Sequence, residues 1–169
     1  MNIDLDPIDL RLLVQLQRDA SLSNQQLAAA VQVSPATAHR RVRRLRTQFR
    51  VEQHDLGLVE RVVAHLAPQR LADAGLPLLQ AVVEVTLDQQ SVERLDAFEA
   101  RALADPAVQQ CWRVSPGPDF VLVLAMADMP AYQAVTARLF TADANVRNVR
   151  AFFAVKRARF GSELPLPER

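Results

Sequence analysis

Arg40, Arg41, Arg43, Arg44, Arg46 and Arg50 fall within eleven residues of one another, and no aspartate or glutamate occurs from Pro35 to Val51. A guanidinium carries a planar fork of donors that matches a phosphate or a guanine edge at two points, and a cluster of such forks displaces the counterions condensed on a polyanion. Double-stranded DNA is the partner this stretch points to, with a solvated basic helix as the plainer alternative. Ser34, Thr37 and His39 stand just ahead of the arginines and add hydroxyl and imidazole donors. No other constellation rises to chemistry. His39, His54 and His65 lack the spacing and acidic neighbours of a metal site, and no glycine-rich phosphate loop opens a helix. Cys111 is the only cysteine, which excludes an internal disulfide and a multi-cysteine zinc site. Neither a catalytic residue nor a cofactor nor a metal is expected.

Forks of this kind need a rigid carrier, and the flanking residues supply one. Ser34-Pro35 is a helix start, serine capping the free N–H groups and proline occupying the first turn, where its missing donor costs nothing. Ala38, Val42, Leu45 and Phe49 recur at helical spacing as a buried stripe, so Thr37, Arg40, Arg41, Arg43 and Arg44 spread over the remaining faces. Two helices precede it. Asp6-Pro7 opens the first, with Ile8, Leu12, Leu13 and Leu16 along one side and an end near Arg18-Asp19-Ala20. Ser23 caps a short second one bearing Leu27, Ala28, Ala30 and Val31, and Gln32-Val33 connects it to Ser34. The succession has the outline of a helix-turn-helix unit, although three short amphipathic helices also make an ordinary bundle.

Charge is placed unevenly along the chain. The 169 residues carry a formal +1, yet residues 1–70 hold ten arginines against seven acids, and residues 71–169 hold ten basic residues against twelve. The pattern changes near residue 60, and two domains of about sixty and ninety residues fit the length. No apolar stretch approaches the roughly twenty residues that cross a bilayer, and no basic segment followed by an apolar run opens the chain, so a cytoplasmic protein with no membrane partner is expected.

The second half alternates between strands and helices. Leu78 to Leu87 reads as a strand, and a helix from about Ser91 follows with Val92, Leu95, Phe98 and Leu103 on one face, ended by Asp105-Pro106. Val108–Val114 and Phe120–Ala127 are strands joined through the turn formers Ser115-Pro116-Gly117-Pro118-Asp119, hence an antiparallel hairpin. Asp128 caps a helix carrying Tyr132, Val135, Leu139 and Phe140, and a last strand runs from about Val149 to Val155. The order βαββαβ predicts a ferredoxin-like sheet with both helices on one face. Its other face needs a cover, and a second copy of the chain is the obvious one. Cys111 and Trp112 read as strand residues packed at the sheet or an interface.

The segments Leu5-Asp6-Pro7-Ile8-Asp9, Leu12-Leu13, Asp19, Leu22-Ser23-Asn24, Leu27-Ala28, Val33-Ser34-Pro35 and Arg40-Arg41-Val42-Arg43-Arg44-Leu45 together resemble the N-terminal domain of the Lrp/AsnC transcription regulators. The likeness continues through Gly57-Leu58-Val59-Glu60-Arg61 and His65-Leu66-Ala67-Pro68, where the family has a strand leading out of the DNA-binding domain, and into the C-terminal half. It implies an α+β chain: a winged-helix-like helix-turn-helix domain over residues 1–60, a linker strand and turn over 61–77, a ferredoxin-like ligand-sensing and oligomerisation domain over 78–160, and a C-terminal tail over 161–169. It also implies homo-oligomers (dimers, with tetramers or octamers beyond them) and an amino acid or related small molecule as effector. Ser34, Thr37, His39, Arg40 and Arg43 are then expected near base edges or adjacent phosphates, with Arg41 and Arg44 serving mainly the DNA backbone.

Two departures from the family pattern stand out. The family's Gly-x-x-Asp signature at the effector site aligns with Pro116 to Asp119, so proline replaces the glycine and Gly117 falls one place late. Proline removes an N–H and fixes φ. Ser115, Gly117 and Asp119 are the expected effector residues, with altered specificity or no response as the outcome, and Asp119 as a turn-stabilising aspartate is the alternative. Second, eleven residues from Arg46 to Leu56 separate Leu45 from Gly57, either a longer third helix or, on balance, an exposed insertion. Siroheme decarboxylases, which share the architecture, and a ligand-independent architectural DNA-binding protein remain the competing functions. The crowding of arginine on the third helix favours DNA.

Overall fold

The computed structural model describes residues 5–46 and 57–167. Phe49, Arg50, Val51 and His54, with the rest of 47–56, lie outside the described residues. The chain divides into two units, one of residues 1–65 with 159–169 and one of residues 66–158.

In the first unit, α1 (Pro7–Arg18), α2 (Asn24–Val31) and α3 (Pro35–Leu45) begin where the sequence places their caps. Asp6 and Ser23 each close a reciprocal capping box, and Ser34 accepts from the N–H of Thr37. Gln32 ends α2 in the left-handed conformation, φ 58° and ψ 52°, and makes possible the tight turn into α3. A non-glycine residue there costs roughly 1 kcal/mol. The core is Leu12, Leu13 and Leu16 of α1, Leu27 and Val31 of α2, and Val42 and Leu45 of α3, with Ala28 and Ala38 buried beside them. Ala30, expected on the α2 stripe, is exposed, because it lies on the margin of the Leu27–Val31 side opposite to buried Ala28.

α3 stops at Leu45. Arg46 is already extended, at φ −82° and ψ 144°, so the third helix does not continue toward Phe49. The N–H groups of Leu58 and Val59 both donate to the Leu45 carbonyl, and Arg46 forms a parallel bridge with Val59, so the chain returns to the point it left. That bridge stands where a wing and an outgoing strand were expected among the described residues, and a short helix, α4 (Pro68–Asp73), lies in the place of the linker strand. The tail also departs from expectation. Gln17 of α1 accepts from the Leu164 N–H at 2.7 Å and donates to its carbonyl at 3.3 Å, while Leu166 packs on the three-helix core.

In the second unit, β1 (Leu79–Leu87), β2 (Val108–Arg113), β3 (Phe120–Met126) and β4 (Val146–Phe153) form an antiparallel sheet in the order β2-β3-β1-β4. Ala81, Val83, Val85 and Leu87 alternate with Phe120, Leu122, Leu124 and Met126 to bury one face, against Phe98 and Ala102 of α5 (Val92–Ala104) and Val135 of α6 (Met129–Thr136). A wider π turn, Ala137–Thr141, follows α6 and brings Leu139 and Phe140 into the same core. Val92 and Leu103 are exposed, correcting the expected α5 face, because the buried row runs through Leu95, Phe98 and Ala102 and neither residue lies on it. β4 begins earlier than expected because Val146 already pairs with Leu87, and Val155 is fully exposed. On the opposite sheet face Val82, Trp112 and Phe152 remain exposed, whereas Cys111 packs on the core side.

Candidate nucleic-acid interface

Helical geometry sorts the side chains of α3 into four rows. With about 100° per residue, Ala38, Val42 and Leu45 form the buried row, and each is 5% exposed or less. Ala36 and Arg40 lie opposite and face solvent. Thr37, Arg41 and Arg44 make one flank; His39 and Arg43 make the other. Ser34 and Thr37 share a hydrogen bond between their hydroxyls at 2.8 Å at the start of the helix. His39 is exposed and meets the Asn24 amide at 3.1 Å from Nδ1.

The arginines of the first flank pair with the carboxylates at the start of α1. Arg41 Nη1 reaches Asp9 at 2.9 Å and Asp6 at 2.5 Å, and Arg44 Nη2 reaches the second Asp9 oxygen at 2.5 Å. The Asp9 side chain is wholly buried. A buried carboxylate is stable only when paired and hydrogen-bonded, and here two guanidiniums and the Asp6 N–H complete it. Desolvation pulls the Arg41 pKa down, but hydrogen bonds and charges from Asp9 and Asp6 outweigh it and hold the pKa above the ordinary arginine value. Desolvation likewise raises the Asp6 pKa, and the Asp9 N–H with the Arg41 guanidinium more than reverses it, so the net shift is downward. Local pattern could not reveal this clamp, since its partners are 32 to 35 residues apart. Its one signal is an aspartate set on the first turn of α1 beside the apolar stripe. The clamp fixes the rotation of α3 about its axis and so decides which arginine is outermost.

Arg40 is that arginine. It is exposed opposite the core row, with His39 and Arg43 exposed beside it. A helix fixed from behind, carrying guanidinium and imidazole donors on its outer side and no carboxylate of its own, can enter the major groove and offer forks to phosphates and base edges.

The turn expected to hold an effector is organised differently. Ser115 and Gly117 are exposed, and Gly117 adopts φ 125°, a conformation that an L residue rarely takes. Asp119 Oδ2 accepts from the Leu87 N–H at 2.7 Å, its own N–H donates to Val85, and its carbonyl accepts from Val114. One carboxylate oxygen is thus committed to closing the sheet end.

Comparison with known proteins agrees with both halves. The AsnC-type helix-turn-helix domain model matches residues 5–46 and the Lrp/AsnC ligand binding domain model residues 80–164. The Bkd operon transcriptional regulator of Pseudomonas aeruginosa is 32% identical over 163 residues, covering 96% of this chain and 99% of that protein. An AsnC family transcriptional regulator from Agrobacterium tumefaciens superposes with a TM-score of 0.78 at 27% identity, covering 95% of this chain and 97% of the other. A Neisseria meningitidis transcriptional regulator, solved as a complex with L-Met, gives a TM-score of 0.78 at 25% identity over 96% and 97% of the two chains. With both domain models matched in order and relatives aligned over nearly their full length, the chain belongs to the Lrp/AsnC family.

Proposed function

We propose that this protein is a transcription regulator that binds specific double-stranded DNA through α3 and responds to an amino acid or related small effector through its second unit. The observation that carries the reading is the sorting of the arginines, two clamped against Asp6 and Asp9 and Arg40 left outermost beside His39 and Arg43. A second copy of the chain, set against the sheet face that exposes Val82, Trp112 and Phe152, would present two α3 helices related by a two-fold axis. Half-sites then lie whole helical turns apart. Such a regulator works in the cytoplasm, with the DNA it reads, and among the described residues no helix is long and apolar enough to cross a membrane.

The effector reading rests on membership of a family whose second domain is described as ligand binding and on the L-Met complex of the Neisseria relative. With Asp119 Oδ2 engaged by Leu87, the other carboxylate oxygen, the Ser115 hydroxyl and the N–H of Gly117 are groups at this turn suited to meet an ammonium and a carboxylate. The test is selection of genomic fragments by the full-length protein. Enriched fragments should share inverted half-sites, and the Arg40→Ala protein should recover none of them; a recovered pool no different from input DNA would refute the reading.

A further inference from the structure

The sheet face turned away from α5 and α6 is uncharged except at one point. Ala81, Val83 and Val85 of β1 are buried, so the residues between them stand on the other side. There the strand register sets Trp112 of β2, Val121 of β3, Glu84 of β1 and Arg150 of β4 side by side as one row across the sheet. The row beside it, Val123, Val82 and Phe152, carries no charge. Among the paired strand residues on this side Glu84 and Arg150 are the ionisable ones. Arg150 Nη1 stands 3.3 Å from Glu84 Oε2, and the guanidinium lies over the Phe152 ring, 5.4 Å from its centroid, which keeps it against the sheet. With the Glu84 side chain 31% exposed and that of Arg150 64% exposed, the pair is solvated and contributes little to the fold. Covering the face changes its weight. Beneath an apolar or like-charged surface both groups lose water, and a buried charge short of partners costs far more than the pair returns. A two-fold contact is isologous, so an identical face brings both signs of charge to the same place.

Resting on the reading that a second copy covers this face, we infer that Glu84 and Arg150 select which chain is accepted. Across the two-fold axis Glu84 meets Arg150 of the second copy, and Arg150 meets its Glu84, while Val82, Trp112 and Phe152 supply the apolar area. The apolar residues by themselves would accept any sheet of similar shape. The charge pair makes the face refuse one that offers an apolar residue or a like charge at either position, so discrimination comes from the penalty on the wrong partner rather than from added affinity for the right one. The partner so defined is a chain with the same charge pattern, a second copy of this one.

The experiment is analytical ultracentrifugation of full-length Glu84→Arg and Arg150→Glu proteins, each alone and then mixed in equal amounts. Alone, each variant sets like charges against like charges and should raise the dimer Kd by roughly a hundredfold or more. Mixed, one brings cations where the other brings carboxylates, and a dimer of one chain of each should form with near wild-type affinity. Rescue on mixing cannot come from misfolded chains. The protein carrying both substitutions should assemble with itself yet refuse the wild type, since that pairing opposes Glu84 to a carboxylate and Arg150 to a guanidinium. Val82→Arg tests the underlying reading, because it puts a charge on the apolar row whatever the pair does. Single variants that assemble like the wild type, no rescue on mixing, or free exchange between the doubly substituted protein and the wild type would overturn the selection by Glu84 and Arg150, while dissociation of Val82→Arg left the covered face standing. If the wild type is monomeric, or Val82→Arg leaves its assembly unchanged, the face is not covered and both fall.

Discussion

Replacing Asp9 by asparagine removes the charge that holds two guanidiniums while keeping size and one carbonyl acceptor. Asp9 accepts from Arg41 at 2.9 Å, from Arg44 at 2.5 Å and from the Asp6 N–H at 3.3 Å, with no exposed side-chain surface. Breaking a buried ion pair by deleting one partner costs about 3–5 kcal/mol because the other charge is left uncompensated. The Arg44 side chain is 40% exposed and can swing to water, and Arg41 keeps Asp6, so the lower end, about 3 kcal/mol, is expected. For a unit of this size each kcal/mol shifts the midpoint by roughly 4–8 °C, so a fall of about 12 °C or more should follow. The readout can be made unit-specific. Trp112 is the only tryptophan and belongs to the second unit, so its fluorescence follows that unit while the helical circular dichroism falls earlier. Exchanging the whole cluster for apolar residues, as Asp9→Leu with Arg41→Met and Arg44→Met, should restore most of the stability. It should also retain DNA affinity to within a few-fold, since the arginines hold α3 rather than the ligand. A loss under 1 kcal/mol for Asp9→Asn, or collapse of DNA binding in the stable triple variant, would refute this account.

The tail should matter to the first unit alone: Leu166→Ala is expected to cost about 1–2 kcal/mol, less than a fully buried leucine, and to lower the helical transition without moving that of Trp112. An unshifted helical melt would show that the tail contact is inert. Asp105 is buried and its pKa is held below the ordinary carboxylate value, chiefly by the Arg138 guanidinium. Its contribution is therefore complete above the unfolded pKa of about 4 and is lost as pH falls through the lower folded value. Acid titration of Trp112 fluorescence should show a stronger low-pH decline in the wild type than in Arg138→Leu, and identical profiles would contradict that origin. Asp119→Ala leaves the Leu87 N–H without its acceptor and should cost about 1–3 kcal/mol in the second unit, whereas Asp119→Asn, which keeps an acceptor, should cost less. Equal midpoints for the two would remove the turn-closing role.

What could be read along the chain was local. Ser23, Ser34 and Asp128 were legible as caps because an N-cap bonds within three residues, and all three bond as expected. Phe120–Ala127 was legible as a strand, but not which of its faces is buried, because every residue in the run is apolar and only the folded sheet sorts Phe120, Leu122, Leu124 and Met126 to the core. The helix with both ends exposed was harder. Val92 and Leu103 are apolar yet lie outside the packed row of α5, and hydrophobicity alone cannot separate a face from its margins. The features that shape the site are non-local. Arg41 and Arg44 were read as contacts to the DNA backbone, and their pairing with Asp9 of α1 was not legible because nothing near them in sequence is acidic. Asn24 reaches His39 across two helices, and the tail meets Gln17 from 147 residues away, so neither left a mark in any window of the sequence.

Salt-dependent anisotropy of the wild type and Arg40→Ala on a selected and a scrambled fragment decides whether α3 reads DNA with Arg40 outermost. Arg40→Ala should lose roughly 1–3 kcal/mol on the selected fragment, about five- to two-hundred-fold, with much less change on scrambled DNA, so that the preference narrows. Equal losses on both fragments would make Arg40 a backbone contact, and wild-type binding to both would show that α3 does not face the DNA at all.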